Sequence, residues 1–280
     1  MKGLLEILKV ILIGIVEGIT EWLPISSTGH MILLDELVRL RFSDEFLEMF
    51  LVVIQLGAIL AVPVMFWRRL SPFGYKNRPE ERKRILDLWL KVIVGVIPAA
   101  VLGFLFDDLL DEYLYNYVVV AIALIVYGIA FIVVERVKKD KKYRIENVYD
   151  ISYKDAFIIG AYQVLSLIPG TSRSGSTILG GMLTGVSRTA SAEFSFYLAI
   201  PVMLGASLLK VLKFILAGFT VTLIELLLLL IGILVSFIVS VFVIDFLMSF
   251  VKKHSFSAFG IYRIALGVIV VAFFLIKTYA

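Results

Sequence analysis

Residues Asp155–Leu183 read DAFIIGAYQVLSLIPGTSRSGSTILGGML. Both flanks are apolar enough to enter a bilayer. The centre, Pro169-Gly170-Thr171-Ser172-Arg173-Ser174-Gly175-Ser176-Thr177, holds five hydroxyls, one arginine and three turn-forming positions. A second stretch, Leu4–Leu34, is interrupted in the same way by Pro24-Ile25-Ser26-Ser27-Thr28-Gly29. Proline stops a helix and glycine permits a sharp turn. Each stretch therefore reads as two short helices around a polar turn. Polar, non-helical backbone at membrane depth survives only inside protein or against a wet cavity, so both are expected to be re-entrant hairpins.

The rest of the chain supplies the membrane. Of 280 residues, 60% are hydrophobic and 18% charged, and the mean hydropathy is +0.98. That is more apolar surface than a water-soluble fold can bury. It excludes a cytosolic enzyme, a disordered tail and a free nucleic-acid binder. Six clean spans follow from the roughly 20 residues a bilayer requires: Phe46–Trp67, Leu88–Phe106, Tyr117–Val134, Ala192–Leu216, Val221–Phe250 and Phe259–Ile276. The expected fold is all-α: six transmembrane helices plus two re-entrant hairpins. Zero Cys excludes disulfides and thiolate chemistry, and two His, His30 and His254, exclude a multi-His metal centre.

Charge gives the orientation. Arg68–Arg84 and Arg136–Lys154 hold seven basic residues each, whereas Asp107–Asn116 holds four acids and no base. By the positive-inside rule the basic segments are cytoplasmic and the acidic loop external, with both termini outside. The apolar start resembles a signal peptide, but Glu17 and Glu21 stand where a small-residue cleavage site belongs.

The broken stretches also resemble one another. Gly14-x-x-Glu17 aligns with Gly160-x-x-Gln163, Pro24-x-Ser26-Ser27 with Pro169-x-Thr171-Ser172, and Glu48 with Glu193, at offsets of 145–146 residues. The chain then reads as one membrane domain, 1–280, made of repeats spanning roughly 1–140 and 150–280 and joined by a basic cytoplasmic loop. One hairpin plus three spans per repeat inverts the second copy, so the two hairpins meet near the midplane.

Ionisable groups inside a membrane are costly and mark function. Glu17 and Glu21, four residues apart, share a helix face. Two carboxylates that close call for a proton or a cation. A divalent metal fits, because it takes oxygen ligands and keeps positions for substrate phosphate; Mg²⁺ is the expected ion and Ca²⁺ the alternative. Ser26, Ser27 and Thr28 open a helix whose N–H groups suit an anion, and His30 follows within one turn as a proton-transfer group. Arg173, set among Ser172, Ser174 and Thr177, offers the bidentate fork that phosphate prefers. Convergence of both turns makes a site for a multiply charged anion, most simply a pyrophosphate. The Walker A spacing Gly170-x-x-x-x-Gly175 fails, since Ser176 stands where lysine must be.

At these motifs the chain resembles the undecaprenyl pyrophosphate phosphatase family, the bacitracin-resistance type of membrane phosphatase. Glu17-Gly-Ile-Thr-Glu21-Trp-Leu-Pro24-Ile-Ser26-Ser27-Thr28-Gly29-His30 is similar to its glutamate-rich first motif, and Pro169-Gly-Thr-Ser-Arg173-Ser-Gly-Ser-Thr177 to its second. The resemblance implies hydrolysis of polyprenyl pyrophosphate to the monophosphate carrier lipid and phosphate, in the plasma membrane, with an active site open to the outside. It assigns Glu17 and Glu21 to the metal or to proton transfer. Ser27 is implied as a nucleophile with His30 as its base or as acid to the leaving group. Ser172, Arg173, Ser174 and Thr177 are implied as the pyrophosphate clamp, with Ser26 and Thr28 beside them. Attack by Ser27 and attack by water remain open, as do monomer and homodimer. A polyprenyl-phosphate flippase using the same midplane anion site is the competing class; carriage requires the clamp but no proton-transfer group.

Overall fold

A computed structural model describes residues 2–74, 78–139 and 141–279, and side chains are not described for 2, 107–112 and 279; Lys76 of the first basic segment lies outside these. The described residues form α1 (Lys2–Thr20), α2 (Ser27–Val38), α3 (Asp44–Val53), α4 (Gln55–Met65), the single turn α5 (Trp67–Leu70), α6 (Pro79–Leu114), α7 (Tyr117–Lys138), α8 (Tyr153–Val164), α9 (Arg173–Thr184), α10 (Arg188–Leu216), α11 (Leu223–Val251) and α12 (Ser257–Tyr279). Six helical units are long and apolar enough to cross a membrane: Asp44–Met65, Pro79–Phe106, Tyr117–Lys138, Arg188–Leu216, Leu223–Val251 and Ser257–Thr278. They coincide with the six expected spans. Along α11, Leu223, Leu227, Leu230, Leu234, Ile238, Phe242 and Phe246 are all exposed. Their spacing of three to four residues draws an apolar stripe down one helix face, the surface a hydrocarbon solvent wants.

One expectation is corrected. Asp107–Asn116 is not a loop, because α6 continues to Leu114 and only Tyr115–Asn116 separate it from α7. Nothing in that acidic segment breaks a helix, so the helix runs on past the apolar span. Asn116 then caps α7, accepting from the Val119 N–H at 3.0 Å.

The short helices hold their places through glycine. A Cβ at Gly14 in α1 would stand 3.0 Å from the Gly232 carbonyl of α11. Gly160 in α8 lies directly against the backbone of Gly95 in α6. Gly128 in α7 and Gly260 in α12 face one another, each leaving its imaginary Cβ 2.6–2.7 Å from the other's carbonyl oxygen. Small residues let membrane helices approach backbone to backbone. The exchange is reciprocal. The first broken stretch packs on a helix of the second half, and the second packs on a helix of the first. Ion pairs follow suit: Glu48 pairs with Lys210, and Glu193 with Arg69 at 2.5 Å. The large side chains buried between the halves, Trp22, Phe196 and Tyr197 among them, close the core beneath the two polar turns.

Candidate active site

Both turns end in the same local structure. Ser26 caps α2 at φ 75°, and Ser172 caps α9 at φ 72°. These backbone angles are rare for a residue with a side chain. Each Oγ accepts from the N–H three residues on, Gly29 at 3.2 Å and Gly175 at 3.1 Å. The two caps are 146 residues apart, an offset that sets Glu17 against Gln163, Pro24 against Gly170, Ser26 against Ser172 and Ser27 against Arg173. The sequence alignment on Pro24 and Pro169 is thus one residue off at the turn. Ser27 and Arg173 each open a helix, and the first N–H groups of both helices have no intrahelical acceptor.

Glu21 joins the two starts. Its Oε2 accepts from Ser27 Oγ at 3.1 Å. Its Oε1 accepts from Arg173 Nη2 at 3.1 Å and Nε at 3.3 Å. Arg173 Nη1 donates to the Ser195 carbonyl of α10 at 2.9 Å, and the guanidinium lies 5.7 Å from the Trp22 ring centroid. Two of its five N–H groups remain for a ligand. Ser27, Thr28, His30, Ser172 and Arg173 are partly open, whereas Glu17 and Glu21 are buried.

His30 stands apart from Ser27. Its Nδ1 lies 2.7 Å from the Ser26 carbonyl, and its Nε2 lies 2.7 Å from the Tyr262 hydroxyl. A carbonyl only accepts, so Nδ1 carries the hydrogen and neutral Nε2 accepts from Tyr262. The rings stack at 5.6 Å. The hydroxyl of Ser27 therefore donates to Glu21, and the expected Ser27–His30 hydrogen bond is absent among the described residues.

Two expected clamp residues lie beneath the surface rather than on it. Ser174 and Thr177 are fully buried. Ser174 Oγ donates to the Glu21 carbonyl at 3.1 Å, tying one turn to the other. Thr177 Oγ1 donates to the Arg173 carbonyl at 2.9 Å and meets Ser195 Oγ at 2.6 Å. Their hydroxyls hold Arg173 in position. Ser26 is likewise buried and spent on its cap.

The family described as bacitracin resistance protein BacA matches residues 10–269. The chain belongs to that family. Its relatives cover it almost end to end. An undecaprenyl-diphosphatase of Acetivibrio thermocellus is 57% identical over 272 residues, 97% of this chain and 99% of its own length. One from Enterococcus faecalis is 60% identical over 268 residues, 95% and 96% of the two chains. One from Desulfitobacterium hafniense is 56% identical over 277 residues, 99% of each.

Among the described residues, no three His, Cys, Asp or Glu side chains gather into a metal cage. The two carboxylates of the BacA-type first motif nevertheless fit a hard cation. Glu17 Oε1 is buried without a hydrogen-bond partner, one turn from Glu21, and Mg²⁺ is commonly held by one or two carboxylates plus substrate phosphates. Sequence reasoning missed Ser195, Tyr262 and Arg263, all of which touch the site's residues. Arg263 had a signal, being a lone cation inside the apolar span Phe259–Ile276; Tyr262 and Ser195 had none.

Proposed function

We propose that this BacA-family protein is an undecaprenyl-diphosphatase that cleaves the phosphoanhydride of a polyprenyl pyrophosphate, leaving polyprenyl monophosphate and inorganic phosphate. The observation that carries this reading is the Glu21 carboxylate, bonded on one oxygen to a hydroxyl and on the other to a guanidinium, where two helix N-termini meet. The anion binds across the free N–H groups of Ser27, Thr28, Arg173 and Ser174 and the remaining donors of Arg173. Ser27 Oγ attacks the terminal phosphorus while Glu21 Oε2 takes its proton. The anhydride bond breaks, and polyprenyl monophosphate leaves, taking up the proton that Glu21 received. Water then cleaves the seryl-phosphate, with the same carboxylate accepting the water's proton and returning it to Ser27 Oγ. His30, with both ring nitrogens engaged by Ser26 and Tyr262, holds the start of the helix in place beside the anion. Phosphoryl transfer asks mainly for positioning and charge stabilisation, which Arg173 and the helix starts supply. A divalent cation on Glu17 and Glu21 would neutralise further phosphate charge.

The site opens outward in this reading. A cavity of about 550 Å³ lies just beyond His30, lined among others by Met31, Ile32, Asp44, Leu47, Tyr115 and Lys210. Asp44 starts the span whose other end, Met65, adjoins basic Arg68 and Arg69. The cavity therefore lies at the end opposite the basic segments, the external end by charge. From there α2, 12 residues long and so about 18 Å, descends to the site at roughly mid-membrane depth. Such a cleft serves a lipid pyrophosphate of the outer leaflet, and its hydrolysis recycles the cell-wall carrier and protects against bacitracin. The repeats are inverted, a reading supported by the reciprocal glycine contacts and the shared caps. The test is phosphate release from polyprenyl pyrophosphate by purified protein. Loss of release in Glu21→Gln and Ser27→Ala supports the mechanism, and a wild-type protein that binds the lipid without releasing phosphate overturns it in favour of carriage.

A further inference from the structure

Arg263 lies in the second turn of α12 and is fully buried, at 0% exposure. A buried guanidinium ordinarily faces a carboxylate, yet among the described residues every hydrogen bond it makes ends on a backbone carbonyl. Nη1 donates to Pro24 at 3.2 Å. Nη2 donates to Gly170 at 2.9 Å, Thr171 at 3.0 Å and Ala123 at 3.4 Å. Its Nε has no partner, and the Tyr127 ring lies 5.7 Å from the guanidinium carbon. Pro24 and Gly170 are equivalent in the 146-residue register. One cation thus holds the same carbonyl of each turn.

The geometry has a consequence on the opposite face. The Thr171 carbonyl and the Ser172 N–H belong to one planar trans peptide, so fixing the oxygen on Arg263 points the N–H away from it. The carbonyl, negative ends of both turns are gathered behind the site; the Ile25 and Thr171 N–H groups close their own turns on Leu23 and Ile168, at 2.7 Å and 3.1 Å, and the Ser172 N–H is turned to the other side. Arg263 is close enough to matter: a Cβ at Gly175, in the first turn of α9, would lie 3.4 Å from its Nη1. The guanidinium stays charged, and burying it without an acid costs energy that an arriving anion offsets. Low-dielectric surroundings carry its field over several ångströms.

We propose that Arg263 is a positioning residue for the pyrophosphate: it staples the two turns from behind, and its uncompensated charge tunes the paired helix starts for a multivalent anion. The proposal rests on the phosphatase reading. A merely structural staple would require donors but no charge, which separates the two roles. The experiment compares Arg263→Lys with Arg263→Gln in purified protein, measuring calorimetric binding of methylenediphosphonate, KM and kcat on polyprenyl pyrophosphate, and the thermal midpoint. Arg263→Lys should bind the diphosphonate within about threefold of wild type, and Arg263→Gln about tenfold or more weaker, with KM rising in step, as expected for loss of one charge near a dianion. Arg263→Gln binding as tightly as wild type overturns the proposal, and so does Arg263→Lys binding as weakly as Arg263→Gln at the same thermal midpoint. If Arg263→Gln does not fold, Arg263→Met replaces it. If neither folds, Arg263→Lys decides alone: more than a threefold loss at a native midpoint overturns the proposal, and less supports it. A wild-type protein that releases no phosphate yet shows this binding pattern sinks the phosphatase reading while leaving the anion site. Normal turnover without the pattern sinks the Arg263 role alone.

Discussion

Arg173 carries the heaviest demand of any single residue, since it faces the anion while bonded to Glu21 and the Ser195 carbonyl. Arg173→Ala should reduce phosphate release by about 100-fold or more, the usual cost of removing one preorganised donor to developing charge. Arg173→Lys should recover little of this, because a lysine cannot hold Glu21, the Ser195 carbonyl and a phosphate together. Near-full activity of the lysine variant in a detergent assay would refute the fork argument. The carboxylates lead to a second expectation. Glu21 has both oxygens engaged, whereas Glu17 has a buried free one, so metal dependence should pass mainly through Glu17. EDTA should abolish wild-type release, and Glu17→Gln should raise the Mg²⁺ concentration needed for half activity; unchanged turnover in EDTA would assign both carboxylates to proton transfer. At this scale Glu17, Glu21, Ser27, His30 and Arg173 were legible because charge or hydroxyls in an apolar stretch are conspicuous. The partners were not. A sequence does not reveal that Ser27 bonds Glu21 rather than His30, since a side chain one turn along a helix is as near in sequence as one across a turn.

The two short helices α2 and α9 show how an element is specified by a single unusual position. Ser26 and Ser172 both combine a cap hydrogen bond with a positive φ, two demands that oppose one another in most residues. Ser172→Ala keeps the backbone strain and loses the cap, costing about 1 kcal/mol, whereas Ser172→Gly loses the cap but relieves the strain and should cost only a few tenths. Thermal unfolding in detergent should therefore rank wild type above Ser172→Gly and that above Ser172→Ala; the reverse order for the two variants would show that the positive φ carries no strain. The hairpin behind α9 depends on Gly160, which lies against Gly95. Gly160→Ala should destabilise the protein by about 1–3 kcal/mol through overpacking, with a matching fall in thermal midpoint; a neutral effect would mean α8 can slide on α6. The spans were legible from length and apolarity alone. The end of α6 was not, because acidic residues outside the bilayer are as compatible with helix as with loop. The one-residue difference at the turns has a similar origin: proline is the conspicuous residue in the sequence, whereas the feature the two turns share in space is the serine cap.

Sidedness belongs to the molecule as a whole, because it depends on every span at once. Three features agree on it. The basic residues Arg68 and Arg69 follow one end of the Asp44–Met65 span, Arg136 and Lys138 close α7, and the cavity beside α2 lies at the other ends, next to Tyr115. A lipid headgroup reaching the midplane must enter from one face only, since access from both would connect the two aqueous phases. By the positive-inside rule the Tyr115 end is expected to be external. The chain has no cysteine, so single cysteines report cleanly. Ser26 and Thr171 are too buried to label, whereas Tyr115 is 55% exposed at the cavity end, Thr28 is partly open in the site and Lys142 is exposed in the basic connection. A membrane-impermeant maleimide added to intact cells should modify Tyr115→Cys quickly and Thr28→Cys slowly, and should leave Lys142→Cys untouched until the cells are opened. Occupancy of the cleft adds a control, as methylenediphosphonate should protect Thr28→Cys without affecting Tyr115→Cys. Labelling of Lys142→Cys in intact cells, with Tyr115→Cys silent, would turn the molecule over. The cleft would then face the cytoplasm and could not serve a pyrophosphate released on the outer leaflet.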